Sequence, residues 1–588
     1  MLQLRIGTDA DNGRLHCGFR ITPRDGARSA QPAKLCSKGS SEASPPADAP
    51  ELPAPYPIVA SCPPPDCVNC GQGQARPPER RKPIVSPVST RLLAVFPVAL
   101  SAAIYLPVLD RYFSYDDFLH LYEIVGYGFP AFVFKPHGGH VLIPSNLAFL
   151  ISFEGFGLDP RPYHALALLT HLTNVALMVG VLKGLTHRAD VAAFGASLWG
   201  ISPANMGSVG LFSAYGHVLA ATGILWVLRD AACRRPGDPP LKARTLWRWY
   251  ALLLLSGTSF GVGLGVATMF GAVLVLILSS PADRKRVAVP FATLMIVLPA
   301  IYLAGISTAE GESSKVANHL IFSMGFVFDV AAMTTYLIAW GIAGLLLGPL
   351  MAHGPNQFVW GPLAGEPIAA GGPVALATLA LFSVFLLSAF VRARPNIRLQ
   401  MVGCLLIVGV AYGLIALGRV EFYRLIDQPM VLAAIPMRYH YVGPMALTLT
   451  AGLAFAVHIG PETQERIRGR IAFFLWAPLA FVVYALTAPN TPSPIHAQTR
   501  EAVRKVMDRV ERSVRAQPVG SNVLIKNRPF PYLPPFDTFP GHAGIFLIAY
   551  PSNTLDGRRV YFVEESPEIH EAAAALPTPR ASQLLIAP

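Results

Sequence analysis

The chain has 588 residues, of which 52% are hydrophobic and only 14% charged, and its mean hydropathy is +0.44. These values exclude a soluble multidomain protein, because runs long enough to cross a bilayer recur along the sequence. The net charge of +12 collects in the loops between those runs, where it reports topology and contact with anionic lipid rather than nucleic-acid binding.

Residues 1–90 carry no periodic apolar pattern and are rich in Pro, Ser, Gly and Ala, as in PPADAPELPAPYP. That composition predicts a disordered tail. The seven cysteines form no disulfide framework. Cys233 and Cys404 are isolated in or beside apolar segments, and the rest fall in the tail, where Cys67 and Cys70 make one CxxC pair without a second at zinc spacing. The first apolar run, Leu92 to Leu109, reads as an uncleaved signal anchor. Arg76, Arg80, Arg81, Lys82 and Arg91 precede it, so the positive-inside rule assigns the tail to the cytoplasm and the following loop to the outer face.

Further crossings are expected near 163–183, 190–206 and 210–229, as a tight pair within 249–280, and at 287–305, 372–391, 400–417, 440–458 and 471–488. Basic clusters around Lys183 and Arg188, Arg234 to Arg248, Arg284 to Arg286, Arg392 to Arg398 and Arg466 to Arg470 mark the inner loops. Counting the apolar stretch 320–350 as one more crossing breaks the alternation, so that stretch is expected to lie in the interface or to re-enter. The fold class is therefore an all-α polytopic membrane protein of about 11 to 13 transmembrane helices. Residues 91–488 form its membrane domain, with 110–162 as the first outer loop, and residues 489–588 form a small extracytoplasmic α/β domain. In that last domain Val503, Val506, Met507, Val510 and Val514 repeat at helical spacing before the strand-like runs NVLIK, GIFLIAY and RRVYFVE.

The chemistry gathers in the first loop. In FSYDDFLHLYE, a helix would set Asp116, His120 and Glu123 along one face with Asp117 turned from them. Such a cluster could hold a base or a divalent metal, or be a solvated interfacial face. His137 and His140 in PHGGH are equally open, since His beside Gly is common in turns. His164 and His171 lie on one face of the next helix, where neighbouring helices commonly satisfy such residues. Asp329 is the one acid within 320–350 and needs no special role in an interfacial segment.

Two acids after the first membrane run, then the stretch from GGHVLIPSNLAF to VLKGL, then ISPANMGSVGLFSAYGHVLAA, resemble the first half of the GT-C membrane glycosyltransferases. The likeness is to the protein O-mannosyltransferase and TMTC-like branch and its bacterial relatives. It covers residues 91–280 and, more faintly, 400–458, where GRVEFYRL and MRYHYVGP resemble the later outer loop. One departure is GTSFGVG at 257–263, where many relatives carry a Lys-Glu pair.

The resemblance implies a GT-C-like fold in a bacterial inner membrane, N-terminus cytoplasmic and C-terminus extracytoplasmic. It also implies transfer of a sugar from a polyprenyl-phosphate donor to a hydroxyl on a glycan, lipid or protein acceptor. The leaving phosphate is already a stable anion, so such a site needs a base for the acceptor and cations for the phosphate. The family's first-loop acid carries over to Asp116 or Asp117. Arg419, Arg424 and Arg438 are candidates for the phosphate, Arg438 and Tyr439 also serving as interfacial anchors in the alternative reading. His137, His140 and His164 complete the candidate substrate-binding set. A transporter or flippase of lipid-linked saccharides, or a non-catalytic envelope assembly protein, are the alternatives. Helix centres nearly free of charge and the lack of visible repeats argue against a carrier.

The charge alternation predicts that single cysteines at Ser114 and Ser552, in a chain stripped of native cysteines, react with an impermeant thiol reagent in intact cells. Protection of either position contradicts the orientation.

Overall fold

A computed structural model describes residues 7–8, 15–16, 87–113, 116–235, 237–307, 324–351, 367–425, 429–434, 436–460, 500–526, 554–563 and 584–585. Contacts divide the chain into the units Met1–Arg80 and Arg81–Pro588. Of the first unit, one antiparallel pair is described, β1 (Gly7–Thr8) with β2 (Leu15–His16). The rest of the expected tail, the expected crossing 471–488 and the run GIFLIAY lie outside the described residues.

The second unit is a helical assembly. Helix α1 (Pro87–Tyr105) continues as a 3-10 turn to Asp110. Three helices of the first loop follow: α2 (Asp116–Tyr127), the single turn α3 (Ala131–Phe134) and α4 (Ile143–Phe156). Next come α5 (Pro160–Thr186), α6 (Ala189–Gly200), the short α7 (Met206–Val209) and α8 (Tyr215–Ala232). Beyond them lie α9 (Ala243–Gly257), α10 (Gly261–Thr268), α11 (Phe270–Ile277), α12 (Pro281–Ala292) and α13 (Leu294–Ser307). The long helices α14 (Met324–Met351), α15 (Pro367–Arg392), α16 (Pro395–Leu425) and α17 (Val442–Ile459) complete the assembly. Among the described residues seven helices are long and apolar enough to cross a membrane, or eight when a pair bent by 96°, Pro203–Val209 with Phe212–Ala232, counts as one span.

Two expectations change. The tight pair within 249–280 is three helices, α9 to α11, interrupted at Thr258–Phe260 and Met269. The stretch 320–350 does not re-enter, since α14 is unbroken and is one of the seven apolar helices. Its acid is accommodated by an ion pair: Asp329 accepts from Arg424 Nη2 at 2.6 Å and from Nε at 2.8 Å. A paired acid near a helix end does not bar that helix from the bilayer.

The core forms where α5 packs on α6 and α8, α1 on α6, and α14 and α17 on α16. Trp199, Trp249 and Trp340 are fully buried in it. The basic loops gather at one end. A Cβ at Gly184 would meet that of Ala232 at 2.9 Å, so α5 and α8 finish side by side. Arg188 reaches the Gly460 carbonyl at 3.5 Å, and Arg392 reaches His458 at 3.3 Å. Buried Asp283 binds Arg234 Nε at 2.7 Å and the Leu241 N–H at 2.9 Å.

The C-terminal residues give α18 (Arg500–Arg515) and a sheet ordered β4-β5-β3-β6, from β3 (Asn522–Lys526), β4 (Thr554–Leu555), β5 (Arg558–Val563) and β6 (Leu584–Leu585). Strand β3 runs parallel to both β5 and β6, pairing Val523 with Val560 and Leu524 with Leu584. Asp556 and Gly557, at φ 47° and 75°, make the tight turn from β4 into β5. NVLIK and RRVYFV thus form strands, as expected of such runs, and Val510 and Val514 of the helix are buried.

Replacing Asp283 by Ala strands the Arg234 guanidinium and the Leu241 N–H, at a cost of about 3 kcal/mol. The expected outcome is a clearly lower unfolding temperature in detergent, with Arg235→Ala unchanged as the surface control.

Candidate active site

Helix α2 begins at the two acids, whose charge suits the positive end of a helix dipole. It ends where Gly128, at φ 63°, turns the chain while its N–H binds the Ile124 carbonyl at 2.9 Å. Asp117, His120, Leu121 and Ile124 form the buried face. The two acids therefore separate. Asp117 is fully buried, and its Oδ1 accepts the Ser213 N–H at 2.6 Å, which ties α2 to the 3-10 turn before α8. The Asp116 side chain is 46% exposed, and its Oδ2 lies 4.0 Å from Nη1 of Arg438, itself 36% exposed.

His120 and Glu123 do not orient the Asp116 carboxylate. His120 donates from Nδ1 to the Asp116 backbone carbonyl at 2.8 Å and stacks on Phe149. Glu123 binds Lys135 Nζ at 2.7 Å and lies 3.5 Å from His137 Nδ1. Among the described residues no three His, Cys, Asp or Glu side chains converge as metal ligands. Burial, helped by His137, lowers the His120 pKa to about 4. At Glu123 burial acts upward, but hydrogen bonds from His137 and Lys135 outweigh it and lower the pKa.

PHGGH is a two-residue hairpin. His137 and His140 exchange N–H···O bonds of 2.9 Å each, and Gly138 and Gly139 supply the positive φ values, 54° and 76°, that such a turn needs. The Gly139 carbonyl accepts from the Tyr302 hydroxyl at 2.9 Å. His137 leans on His120, ring centres 4.3 Å apart, whereas His140 packs on Phe260 of the GTSFGVG loop. Burial first, then the charges of Arg419, His137 and Arg438, pushes His140 down to about 3.

Arg419, near the end of α16, and Arg438, in the 3-10 turn Met437–Tyr439, flank the Tyr439 ring at 5.6 Å and 5.5 Å from its centre. Both distances suit a cation–π contact. Among the described residues Arg419 has no carboxylate at ion-pair distance, and Arg438 has only Asp116. Arg424 is different: Asp329 and Glu421 occupy it. The backbone of Arg438 is fixed by Gly207, where a Cβ would lie 2.4 Å from the Arg438 nitrogen. On its other side His440 is bound to the Ala434 carbonyl at 2.6 Å and to Tyr412 at 3.0 Å. The Tyr441 hydroxyl is bound to His171 at 2.8 Å and to Asn174 at 3.2 Å.

Asp116, Arg419, Arg438 and Tyr439 thus come together, while His140 packs on Phe260 and His137 lies against His120 and Glu123. His164 sits deep in α5 among Arg111 and the backbones of Tyr112 and Val209, and neither of its nitrogens makes a hydrogen bond of ordinary geometry. His171 is structural, its second nitrogen binding the Gly200 carbonyl at 3.0 Å. The residue that sequence reasoning missed is Gly207. It stands inside the quoted ISPANMGSVGLFSAYGHVLAA, but a lone Gly there carries no pattern.

No family model matches the chain, and no curated protein matches it. Among solved structures, it is similar to ArnT from Cupriavidus metallidurans, a crystal structure bound to undecaprenyl phosphate. The identity is 14%, over 83% of this chain and 89% of that chain, with a TM-score of 0.43. A likeness that distant carries no inference about this chain.

The lowered His pKa values set a pH dependence. From about pH 6.5 down to about 4 the unfolded chain takes up protons at His120 and His140 that the folded chain refuses, so stability falls as pH falls. The Glu123 contribution is lost at still lower pH, as its depressed pKa is crossed. Hydrogen exchange should show the 116–140 segment opening more readily at pH 5 than at pH 7.5, and His120→Gln should flatten that difference.

Proposed function

We propose that the chain transfers a sugar from a polyprenyl-phosphate donor to a hydroxyl acceptor at the outer membrane face. The observation that carries this reading is the approach of Asp116 to Arg438, 4.0 Å apart, beside a second arginine on the same tyrosine ring. It is supported by the sequence resemblance to GT-C glycosyltransferases, which carries the family's first-loop acid over to Asp116 or Asp117.

In the proposed reaction Asp116 takes the proton of the acceptor hydroxyl, and the acceptor oxygen bonds to the anomeric carbon. The bond from that carbon to the phosphate oxygen breaks, and the lipid phosphate leaves carrying the electron pair. Arg438 and Arg419 hold that anion, their planar forks suiting two phosphate oxygens each. Asp116 rather than Asp117 is the base because a base must meet its substrate. Asp117 is wholly buried and already engaged by the Ser213 N–H. A hydrogen bond to a carboxylate also weakens it as a base.

The donor's lipid tail stays in the bilayer while its sugar stands just above, so a base where the chain leaves the first membrane helix lies at a suitable depth. The gathering of basic loops at the opposite end supports the same orientation.

Asp116→Asn keeps shape but removes basicity, and transfer should fall by about 10²-fold to 10⁴-fold with lipid-phosphate binding retained. Arg438→Lys and Arg419→Lys should weaken binding, because a point charge does not replace the fork. Envelope glycans from cells with and without each variant, together with transfer assays on purified protein, provide the test. Normal transfer by Asp116→Asn removes this mechanism.

A further inference from the structure

Helix α9 runs alongside α12 and the start of α13 from the end where the basic loops gather, and contacts at three levels fix the seam between them. At its mouth the Leu241 N–H donates to Asp283 Oδ1 at 2.9 Å, and the Leu241 carbonyl accepts from Arg286 Nη1 at 2.7 Å. Further in, the Tyr250 ring lies 6.0 Å from that of Phe291, and its hydroxyl bonds to Thr293 Oγ1 at 3.1 Å. Deeper still, a Cβ at Gly257 would fall 2.6 Å from the Leu298 side chain. Arg244, Trp247 and Tyr250 follow one another at intervals of three along α9, hence on one stripe, and Arg286, Val289 and Thr293 do so at three and four on the facing segment. Both stripes begin at exposed arginines and end at the Tyr250–Thr293 bond, about 10 Å further along.

The charge at the mouth is unbalanced. Lys242, Arg244, Lys285 and Arg286 are exposed, and among the described residues none has a carboxylate at ion-pair distance. The acids nearby are already engaged: Asp283 binds Arg234, Asp230 binds Arg248 and the Trp249 indole, and Asp238 accepts the Arg235 N–H. Lys242 follows Leu241 and Lys285 precedes Arg286, so the bonds at Leu241 bring these like charges together from two separate loops. Below the basic rim the surface is apolar, with Trp247 72% and Val289 75% exposed. Residues 281–305 form one of the seven apolar helices, and an exposed tryptophan beside cationic side chains is the composition of a bilayer boundary.

We propose that this seam binds one anionic phospholipid. Its phosphate is held by Lys242, Arg244, Lys285 and Arg286, and an acyl chain lies over Trp247 and Val289. A zwitterionic lipid brings no net charge to offset the rim, whereas an anionic one does, and it relieves the repulsion between the two loops. None of these residues belongs to the Asp116–Arg438 pair, so the inference stands apart from the glycosyl-transfer reading.

The test titrates full-length protein in non-ionic detergent with phosphatidylglycerol carrying a fluorescent tail, and with phosphatidylcholine carrying the same tail. The wild-type chain should bind the anionic lipid at one saturable site, about tenfold more tightly than the zwitterionic one, and should unfold at a higher temperature in its presence. Lys242→Gln and Lys285→Gln should each lose about fivefold in affinity, and the double variant about thirtyfold. Lys242→Arg should bind as the wild type does, and so should Arg394→Gln, an exposed charge removed from another basic loop. Equal affinity for the two lipids overturns the proposal. So does an equal loss in Arg394→Gln, which assigns the binding to diffuse charge, or in Lys242→Arg, which assigns it to packing. Displacement of the lipid by millimolar inorganic phosphate leaves only a small-anion site and overturns it. A wild-type dimer that Trp247→Ser converts to a monomer assigns the face to a second copy of the chain and overturns it as well.

Discussion

The placement of Arg438 depends on a backbone contact that only glycine permits. Gly207 in α7 lies against the Met437–Arg438 peptide so closely that a Cβ would stand 2.6 Å from the Met437 carbonyl carbon. The next two residues then anchor the segment in the core. His440 Nε2 donates to the Ala434 carbonyl and its Nδ1 bonds to Tyr412, the Tyr441 hydroxyl bonds to His171 and accepts from Asn174, and Trp199 Nε1 donates to the Tyr441 carbonyl at 3.3 Å. A guanidinium on a mobile side chain is thereby mounted on a rigid base, which is what precise hold on an anion requires. Asp117 does the same for its neighbour: a buried carboxylate bound to Ser213 N–H fixes where α2 begins, and so where Asp116 stands.

The two adjacent acids illustrate how one turn of helix divides labour. Successive residues lie about 100° apart, so when Asp117 faces inward with His120, Leu121 and Ile124, Asp116 must point along the edge of the loop. The sequence grouping of Asp116 with His120 and Glu123 was correct as geometry but not as chemistry. His120 reaches only the Asp116 carbonyl, and Glu123 is occupied by Lys135 and His137. Asn146, in the same first loop, binds the Phe132 and Lys135 carbonyls at 3.1 Å and 3.2 Å. Much of the polar content of this loop therefore holds the loop together.

What could be read from the sequence was what repeats or what depends on local chain direction. Long apolar runs located α1, α5 and α17 to within about five residues and the middle of the longer α16, and short strand-like runs gave β3 and β5. The break at Thr258–Phe260 falls in the GTSFGVG loop expected between the tight pair of 249–280, whereas the second break, at Met269, was hidden within a continuous apolar run. The unbroken α14 was not legible, because one more crossing breaks the alternation of basic loops, and the partner of its Asp329, Arg424, is distant in sequence and close only in the fold. The same pairing explains why Arg424 was over-read as a phosphate ligand. Arg419, Arg438 and Tyr439 were legible through their motif, whereas Gly207 was not, since it is a single residue whose meaning comes from the Met437–Arg438 peptide it lies against.

The distribution of pairing among arginines gives the site its electrostatic character. Arg188 is held by Asp190, Arg234 by Asp283, Arg248 by Asp230 and Arg424 by Asp329, so in each case an acid offsets the charge. Arg419 and Arg438 instead share one aromatic ring, with Asp116 at the edge of ion-pair range. A ring quadrupole offers each cation roughly 0.5–2 kcal/mol, less than a well-formed buried carboxylate contact, so the pair keeps a residual attraction for an anion. Asp116 cannot cancel it, since that one half-exposed carboxylate lies 4.0 Å from Arg438 and no carboxylate among the described residues is at ion-pair distance from Arg419. Under the proposed reaction that imbalance serves both halves of the step. The excess positive charge favours the departing phosphate, and the incomplete contact leaves Asp116 free to accept a proton instead of being locked into a salt bridge.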